Sequence, residues 1–206
     1  VADSTVLGLL NDVPREAFTP EAYQSVAFAD LDVPLSTPPV EGESMLPPKV
    51  QARVAQDVAV KPTDTVLHIG TGSGFMAALL GKQAKSVLSL EINPALAAVA
   101  KANLQRAGIT NVDVRCADAT AQGFKACEGQ APYDVIVLSG SVAEVPPALL
   151  HMLKVGGRLS AIVGNEPMMR ATLITRASDT AFTTEQPWDY LAPRLKNFPQ
   201  PSAFRF

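Results

Sequence analysis

The chain has 206 residues, of which 47% are hydrophobic and 18% are charged, and its formal net charge is −3 at neutral pH. This length supports a substantial core, and we expect residues 1–206 to form a single domain. No apolar run approaches the roughly 20 residues that span a bilayer, and no signal peptide is visible. The basic residues are scattered, which argues against a nucleic-acid partner.

The few histidines and cysteines exclude several kinds of site. His68 and His151 are the only histidines, so a histidine-rich metal site is excluded and no metal is expected. Cys116 and Cys127 have neither metal-ligand nor redox-motif spacing. We interpret them as reduced thiols of a cytoplasmic protein.

Residues 1–60 differ in pattern from the rest of the chain. The run from Val13 to Glu16 opens a helical or turn segment. Five prolines between Leu31 and Pro48 predict loop or extended chain, because proline lacks a backbone donor and restricts the residue before it. Apolar residues then recur at helical spacing, which predicts a helix from Lys49 to Val60.

From Thr65 onward, short apolar runs alternate with helical patterns. The predicted strands are Val66–Ile69, Ser86–Leu90, Asn111–Arg115, Asp134–Leu138 and Arg158–Val163. The predicted helices are Gly74–Gln83, Pro94–Ala107 and Pro146–Leu153. This alternation is typical of a doubly wound, parallel α/β sheet. Near the end, Ala171–Arg176 and Ala181–Glu185 predict an antiparallel hairpin at the sheet edge, and the tail from Pro187 is expected to lie over the surface.

A glycine-rich turn separates the first strand of this pattern from the helix that follows it. The turn and the residue that precedes it in the strand comprise His68, Gly70, Thr71, Gly72, Ser73 and Gly74. A dinucleotide site has a glycine three residues after the second glycine of the turn, where this chain has Phe75. The spacing therefore favours S-adenosylmethionine over NAD, although a plain strand-to-helix corner is the alternative.

Polar residues follow three other predicted strands, and ligands of open α/β sheets bind at the carboxyl ends of strands. Glu91 is placed to accept hydrogen bonds from both ribose hydroxyls, the alternative being a solvated charge. Asp118 is placed to accept from an adenine amino group, the alternative being a helix N-cap. Ser139 and Ser141 are small residues that leave room for a methyl acceptor, the alternative being a tight loop.

The sequence resembles the protein-L-isoaspartate O-methyltransferase family over nearly its full length. The motifs that carry the resemblance are Val13–Pro20 with Tyr23, Ala27–Asp30, Ile69–Phe75, Ser89–Glu91, Ala131–Val137 and Leu153–Leu159. The resemblance implies a class I, Rossmann-like fold with a mostly parallel sheet and a C-terminal antiparallel hairpin. Residues 61–206 would form the cofactor-binding core, and residues 1–60 would form an extension on the substrate side.

Members of this family use S-adenosylmethionine to methylate the α-carboxylate of isoaspartyl residues in damaged proteins, and they release S-adenosylhomocysteine. The resemblance therefore implies cofactor roles for the turn at Gly70–Gly74, for Glu91 with Ile92, and for Asp118 with Ala119. Because a carboxylate is already ionised at neutral pH, this reaction needs no general base. Positioning groups would carry the catalysis.

The sequence departs from the family at two places. The family has a Thr-Ile-Ser-Gln-Pro segment, whereas this chain has Met45 at the serine position and Ser44 one place earlier. Together with Lys49, this pattern resembles a divergent bacterial subgroup. We predict Ser44 as the catalytic hydroxyl after a small shift, with Met45 and Leu46 as substrate contacts; the alternative is that the hydroxyl is absent.

His68 stands where the family has a glutamate that helps to hold the cofactor's amino group. A neutral imidazole could accept one hydrogen bond, whereas a protonated imidazole would repel that ammonium, so the sequence predicts a weaker, pH-dependent affinity for the cofactor. Two alternatives stay open: a methyltransferase with a small-molecule or RNA acceptor, and a non-catalytic binding protein that retains the fold. The sequence does not define the oligomeric state.

Overall fold

A computed structural model describes residues 3–200 of the chain. Its principal strands are β1 (Val33–Pro34), β2 (Ser44–Met45), β3 (Thr65–Ile69), β4 (Ser86–Glu91), β5 (Val112–Cys116), β6 (Tyr133–Val142), β7 (Leu153–Asn165), β8 (Met168–Arg176) and β9 (Phe182–Asp189). The α-helices are α1 (Ser4–Asp12), α2 (Pro48–Val58), α3 (Phe75–Gln83), α4 (Pro94–Arg106), α5 (Ala121–Phe124) and α6 (Pro147–His151). Short 3₁₀ turns occupy Arg15–Phe18, Glu21–Val26 and Lys125–Gln130.

The main sheet has the strand order β5-β4-β3-β6-β7-β8-β9. The first five strands in this order are parallel to one another. At the far edge, β8 pairs antiparallel with β7, and β9 pairs antiparallel with β8. This topology confirms the predicted doubly wound sheet and its C-terminal hairpin. The chain reverses its direction of winding between β3 and β6, and it is beside this point that open α/β sheets bind ligands.

The central strands are apolar on both sides because helices cover both faces of the sheet. In β3, Val66 joins one hydrophobic cluster and Leu67 joins the other, as the alternation of side chains along a strand requires. Among the helices, α4 begins at Pro94, and the side chain of Asn93 caps it by accepting from the Ala95 amide at 2.9 Å. These local features fix where each strand ends and where the following turn begins.

The N-terminal extension packs against the core and continues one of its hydrophobic clusters. Val6, Leu9 and Phe18 are buried in the same cluster as Phe75 of α3. The proline-rich stretch, predicted as loop or extended chain, includes the short antiparallel pair β1 and β2, in which Val33 faces Met45. The helix α1 was not predicted from the sequence.

Several boundaries differ from the predictions, three of them by more than three residues. Strand β6 continues through Ser139 to Val142, so the predicted end at Leu138 was too early. Strand β7 begins at Leu153, a residue that the sequence assigned to a helix. Pro187 belongs to β9, and the tail that follows this strand runs back over the carboxyl edge of the sheet, where the Leu195 amide donates to Ser141 O at 2.9 Å.

No helix within residues 3–200 is long and apolar enough to cross a membrane.

Candidate active site

The glycine turn between β3 and α3 needs glycine for conformational and steric reasons. Gly70, Gly72 and Gly74 have φ values of 89°, 54° and 91°, which are unfavourable for other residues. A Cβ atom on Gly70 would lie 3.1 Å from Leu195 Cδ2, and one on Gly74 would lie 3.3 Å from Ala100 Cβ. Gly74 packs against α4, whereas Gly70 and Gly72 face the open end of the sheet.

A cavity of about 640 Å³ opens in front of this turn, part of it continuous with solvent; we call it the edge cavity. Its walls combine the turn, the ends of β4 and β5, the extension and the C-terminal tail. The lining residues are Leu35, Gly42, Glu43, Ser44, Ile69, Gly70, Gly72, Leu90, Glu91, Ile92, Leu96, Ala117, Asp118, Ala119, Ser139, Arg194, Leu195, Lys196 and Phe198.

Glu91 ends β4 and fixes the shape of the turn. One carboxylate oxygen accepts from the Gly72 amide at 2.8 Å, and the other accepts from the Asn93 amide at 3.0 Å. The side chain is buried, yet it lines the edge cavity. Each carboxylate oxygen has a lone pair beyond these bonds, so Glu91 holds the turn and still presents acceptors to the cavity.

Asp118 follows β5 and is already hydrogen-bonded on both oxygens. Oδ1 accepts from the Thr120 hydroxyl at 2.7 Å and from the Thr120 amide at 2.9 Å, while Oδ2 accepts from the Asn197 side chain at 2.7 Å. Burial raises the pKa of Asp118, but these hydrogen bonds outweigh it and the net shift is downward. Asp118 is thus an ionised acceptor at the cavity wall.

The C-terminal tail forms a wall that the sequence did not predict. Lys196 Nζ lies 2.9 Å from Glu43 Oε1, which joins the tail to the extension across the mouth of the edge cavity. The hydrogen bond from Lys196 lowers the pKa of Glu43, since it outweighs the cost of burial. The side chain of Asn93 also donates to Glu43 at 3.1 Å, so the end of β4 is tied to the same group.

His68 lies below the cavity floor in a chain of hydrogen bonds. Nδ1 is 2.9 Å from Ser89 Oγ, Nε2 is 2.7 Å from Ser139 Oγ, and Ser89 Oγ is 2.6 Å from Thr71 Oγ1. The ring is completely buried, and this desolvation lowers its pKa to about 3. The imidazole is neutral near pH 7, which corrects the prediction of charge repulsion between His68 and a cofactor ammonium.

A second cavity of about 280 Å³ lies between the turn and the extension; we call it the inner cavity. It is lined by Leu35, Ser44, Met45, Leu46, Gln51, Gly70, Thr71, Gly72, Ser73, Phe75, Met76 and Ser139. Ser44, Gly70, Gly72 and Ser139 line both cavities, so the two spaces meet at the turn. The buried Ser44 Oγ has no hydrogen-bond partner within residues 3–200.

The structure brings most of the predicted site residues together. Glu91, Ile92, Asp118 and Ala119 line the edge cavity, Thr71, Ser73, Met45 and Leu46 line the inner cavity, and Gly70, Gly72, Ser44 and Ser139 line both.

His68, Gly74 and Ser141 line neither cavity. Ser141 faces the tail instead, because its hydroxyl donates to Ala192 O at 2.8 Å. Sequence reasoning missed Glu43, Gln51, Lys196 and Asn197, for which the sequence showed no motif.

A mostly parallel sheet with this strand order, a glycine turn after β3 and acids at the ends of β4 and β5 defines a class I S-adenosylmethionine-dependent methyltransferase. Comparisons with known proteins agree with this class. The family model described as protein-L-isoaspartate(D-aspartate) O-methyltransferase matches residues 1–190. The chain belongs to this family.

Curated relatives and solved structures extend the comparison. A Marinobacter nauticus protein-L-isoaspartate O-methyltransferase 2 is 40% identical over 88% of this chain and 80% of that protein. A Koribacter versatilis protein-L-isoaspartate O-methyltransferase is 36% identical over 85% of this chain and 75% of that protein. A solved protein-L-isoaspartate O-methyltransferase is 26% identical with a TM-score of 0.74, covering 92% of this chain and 60% of that one. A Plasmodium falciparum structure, described as a candidate enzyme of this name in complex with S-adenosyl-L-homocysteine, has the same fold, with 18% identity, a TM-score of 0.75, and coverage of 94% and 92%.

Proposed function

We propose that this protein transfers a methyl group from S-adenosylmethionine to the α-carboxylate of isoaspartyl residues in proteins or peptides. The observation that carries the proposal is the meeting of two cavities at the glycine turn, in a chain that belongs to this family. One cavity has the acceptors and apolar walls that suit the cofactor. The other opens toward the extension and has room for a small polar group.

The residues of the edge cavity fit S-adenosylmethionine. Gly70 and Gly72 leave backbone without side chains at the wall, where a methionine moiety can approach closely. Glu91 would accept from the ribose hydroxyls, Asp118 would accept from the adenine amino group, and Ile92 would pack on the adenine face. When bound, the cofactor supplies a methyl group on a sulfonium, which is already activated for transfer.

The protein's own groups then have to orient the acceptor and exclude water. Ser139 is held at the junction of the cavities by its hydrogen bond to His68, and the unpartnered Ser44 hydroxyl stands at the same junction. The Ser44 hydroxyl can donate to a carboxylate oxygen, and the Ser139 hydroxyl can do so in the tautomer in which His68 Nε2–H donates to Ser139 Oγ. Because the acceptor is an anion at neutral pH, no group is needed to remove a proton.

The test measures binding before chemistry. Calorimetry with S-adenosylmethionine and S-adenosylhomocysteine should give micromolar dissociation constants, about −8 kcal/mol. Transfer of a labelled methyl group is then measured to an isoaspartyl peptide, to the matched aspartyl peptide and to bulk tRNA. We expect transfer to the isoaspartyl peptide alone.

The other outcomes decide between the alternatives. Cofactor binding with transfer to tRNA, or with no transfer to any of the three substrates, would overturn the isoaspartyl assignment and favour a different methyl acceptor. Absence of cofactor binding at millimolar concentration would refute the enzyme and favour a binding protein that retains the fold.

We also propose that the protein acts in the cytoplasm and needs neither nucleic acid nor membrane as a partner. Both cysteines are free thiols, one exposed and one buried, as expected in a reducing compartment.

Within residues 3–200, no group of three or more potential protein ligands is arranged to hold a metal ion.

A further inference from the structure

One wall of the inner cavity is formed by a polar side chain that the proposed reaction does not yet use. Gln51 lies in the first half of α2, is only 5% exposed, and lines this cavity. Burying an amide is costly unless both of its ends find hydrogen bonds. The partners of Gln51 therefore show what this position is built to do.

The carbonyl end of Gln51 has a partner in Arg15. The guanidinium of Arg15 is 2% exposed and donates to Gln51 Oε1, to Ala27 O at 2.6 Å and to Leu46 O at 2.7 Å. Burial lowers the pKa of Arg15 to about 10, so the group stays cationic near neutral pH. It has no carboxylate within ion-pair distance among residues 3–200, and its charge is balanced only by neutral acceptors and the Phe75 ring.

This partner fixes the orientation of the amide. A guanidinium can only donate, so the oxygen of Gln51 must face Arg15 and the NH₂ group must occupy the other position. Within the described part of the chain, that NH₂ group makes no hydrogen bond. The inner cavity is thus lined by a buried side chain whose donor has no partner, next to a cation without a counterion.

We propose that the inner cavity binds the carboxylate of the methyl acceptor, with the Gln51 NH₂ group donating to one oxygen and the Arg15 cation attracting the anion from behind. This inference deepens the proposed function and rests on it. It assigns Gln51 as a substrate-binding residue and Arg15 as the residue that orients it. Ser44 and Ser139 face the same space, so the carboxylate would find further donors on the side of the edge cavity.

Gln51→Glu separates this role from a purely structural one. The variant keeps an acceptor for Arg15. It replaces the NH₂ donor with a carboxylate oxygen, whose negative charge repels the substrate carboxylate. We expect thermal unfolding no lower than in the wild type, unchanged binding of S-adenosylhomocysteine, and kcat/KM for an isoaspartyl peptide lower by about 10- to 100-fold, mainly through KM.

Two further variants complete the set. Gln51→Met removes both the donor and the acceptor, so it should lower both the unfolding temperature and kcat/KM. Gln83→Met alters the same residue type on α3, outside both cavities, and should change neither. Binding of the isoaspartyl peptide to protein saturated with S-adenosylhomocysteine is also compared with binding of the same peptide carrying a primary amide at that carboxylate. The wild type should prefer the carboxylate, and Gln51→Glu should lose the preference.

The results distinguish the two proposals. If the wild type methylates the isoaspartyl peptide and Gln51→Glu does so with the same KM and the same preference for the carboxylate, the role of Gln51 is refuted and the proposed function stands. If the wild type does not methylate the isoaspartyl peptide, both proposals fall.

Discussion

His68 should make the stability of this protein depend on pH in a way that one substitution removes. The imidazole is completely buried and bonded to two serine hydroxyls, and its pKa is lowered from 6.5 to about 3. Because the unfolded chain binds a proton near pH 6.5 and the folded protein does not, the free energy of unfolding falls as the pH drops below 6.5. Above that value the contribution of His68 is constant.

The size of the effect follows from the two pKa values. Each pH unit between them costs the folded state about 1.4 kcal/mol, so lowering the pH from about 7 to about 5 removes about 2 kcal/mol through this group alone. In His68→Gln the amide can still bond to Ser89 and Ser139 but does not titrate. The carboxylates whose pKa values are lowered, such as Asp118 and Asp134, contribute equally to both proteins and cancel in the comparison.

The assay is urea unfolding of both proteins at these two pH values, followed by circular dichroism. The quantity compared is the loss of unfolding free energy on acidification, which does not depend on how stable the variant is at neutral pH. The wild type should lose about 2 kcal/mol more than His68→Gln. Equal losses would refute the reasoning, since they would mean that His68 has the same pKa in the folded and the unfolded protein.

Three further predictions concern the site and its support. Glu91→Gln should weaken S-adenosylhomocysteine binding about 10- to 100-fold in calorimetry, because charge-assisted hydrogen bonds from the turn and the ribose are lost together; an unchanged dissociation constant would contradict the role of Glu91. Lys196→Met should weaken the same binding only about two- to fivefold at low salt, and the difference should vanish in molar salt, because the pair with Glu43 is partly exposed. Arg158→Met should lower the free energy of unfolding by about 3 kcal/mol in urea titrations, because it removes the cation that lies 2.8 Å from the buried Asp64 carboxylate. A loss below about 1 kcal/mol would show instead that water reaches Asp64.

The parts of the fold that could be predicted are those set by local patterns. Apolar runs between helical patterns defined the strands of the sheet, and the glycines at 70, 72 and 74 located the site. The end of β6 was placed too early, because Ser139 and Gly140 are typical of turns and the tail that pairs with Ser141 is distant in sequence. Tertiary contact overrode local propensity there.

The parts of the site that could not be predicted depend on distant contacts and on side-chain orientation. Lys196 meets Glu43, and Asn197 meets Asp118 across 79 residues, with no motif at either end. The sequence predicts His68 as a departure from the family, but its burial beneath the cavity floor could not be read from its position in β3. The orientation of Gln51 depends on Arg15, 36 residues away in the extension.

The joining of tail and extension across the cavity mouth has a consequence for the order in which the protein is made. Glu43 and Lys196 are 153 residues apart, and a ribosome takes about 10 to 30 s to add that length. During this interval the extension, the glycine turn and most of the sheet have emerged, while the edge cavity still lacks a wall. The growing chain can therefore acquire its core well before it can enclose a ligand, and the site is completed only once Lys196 has been added.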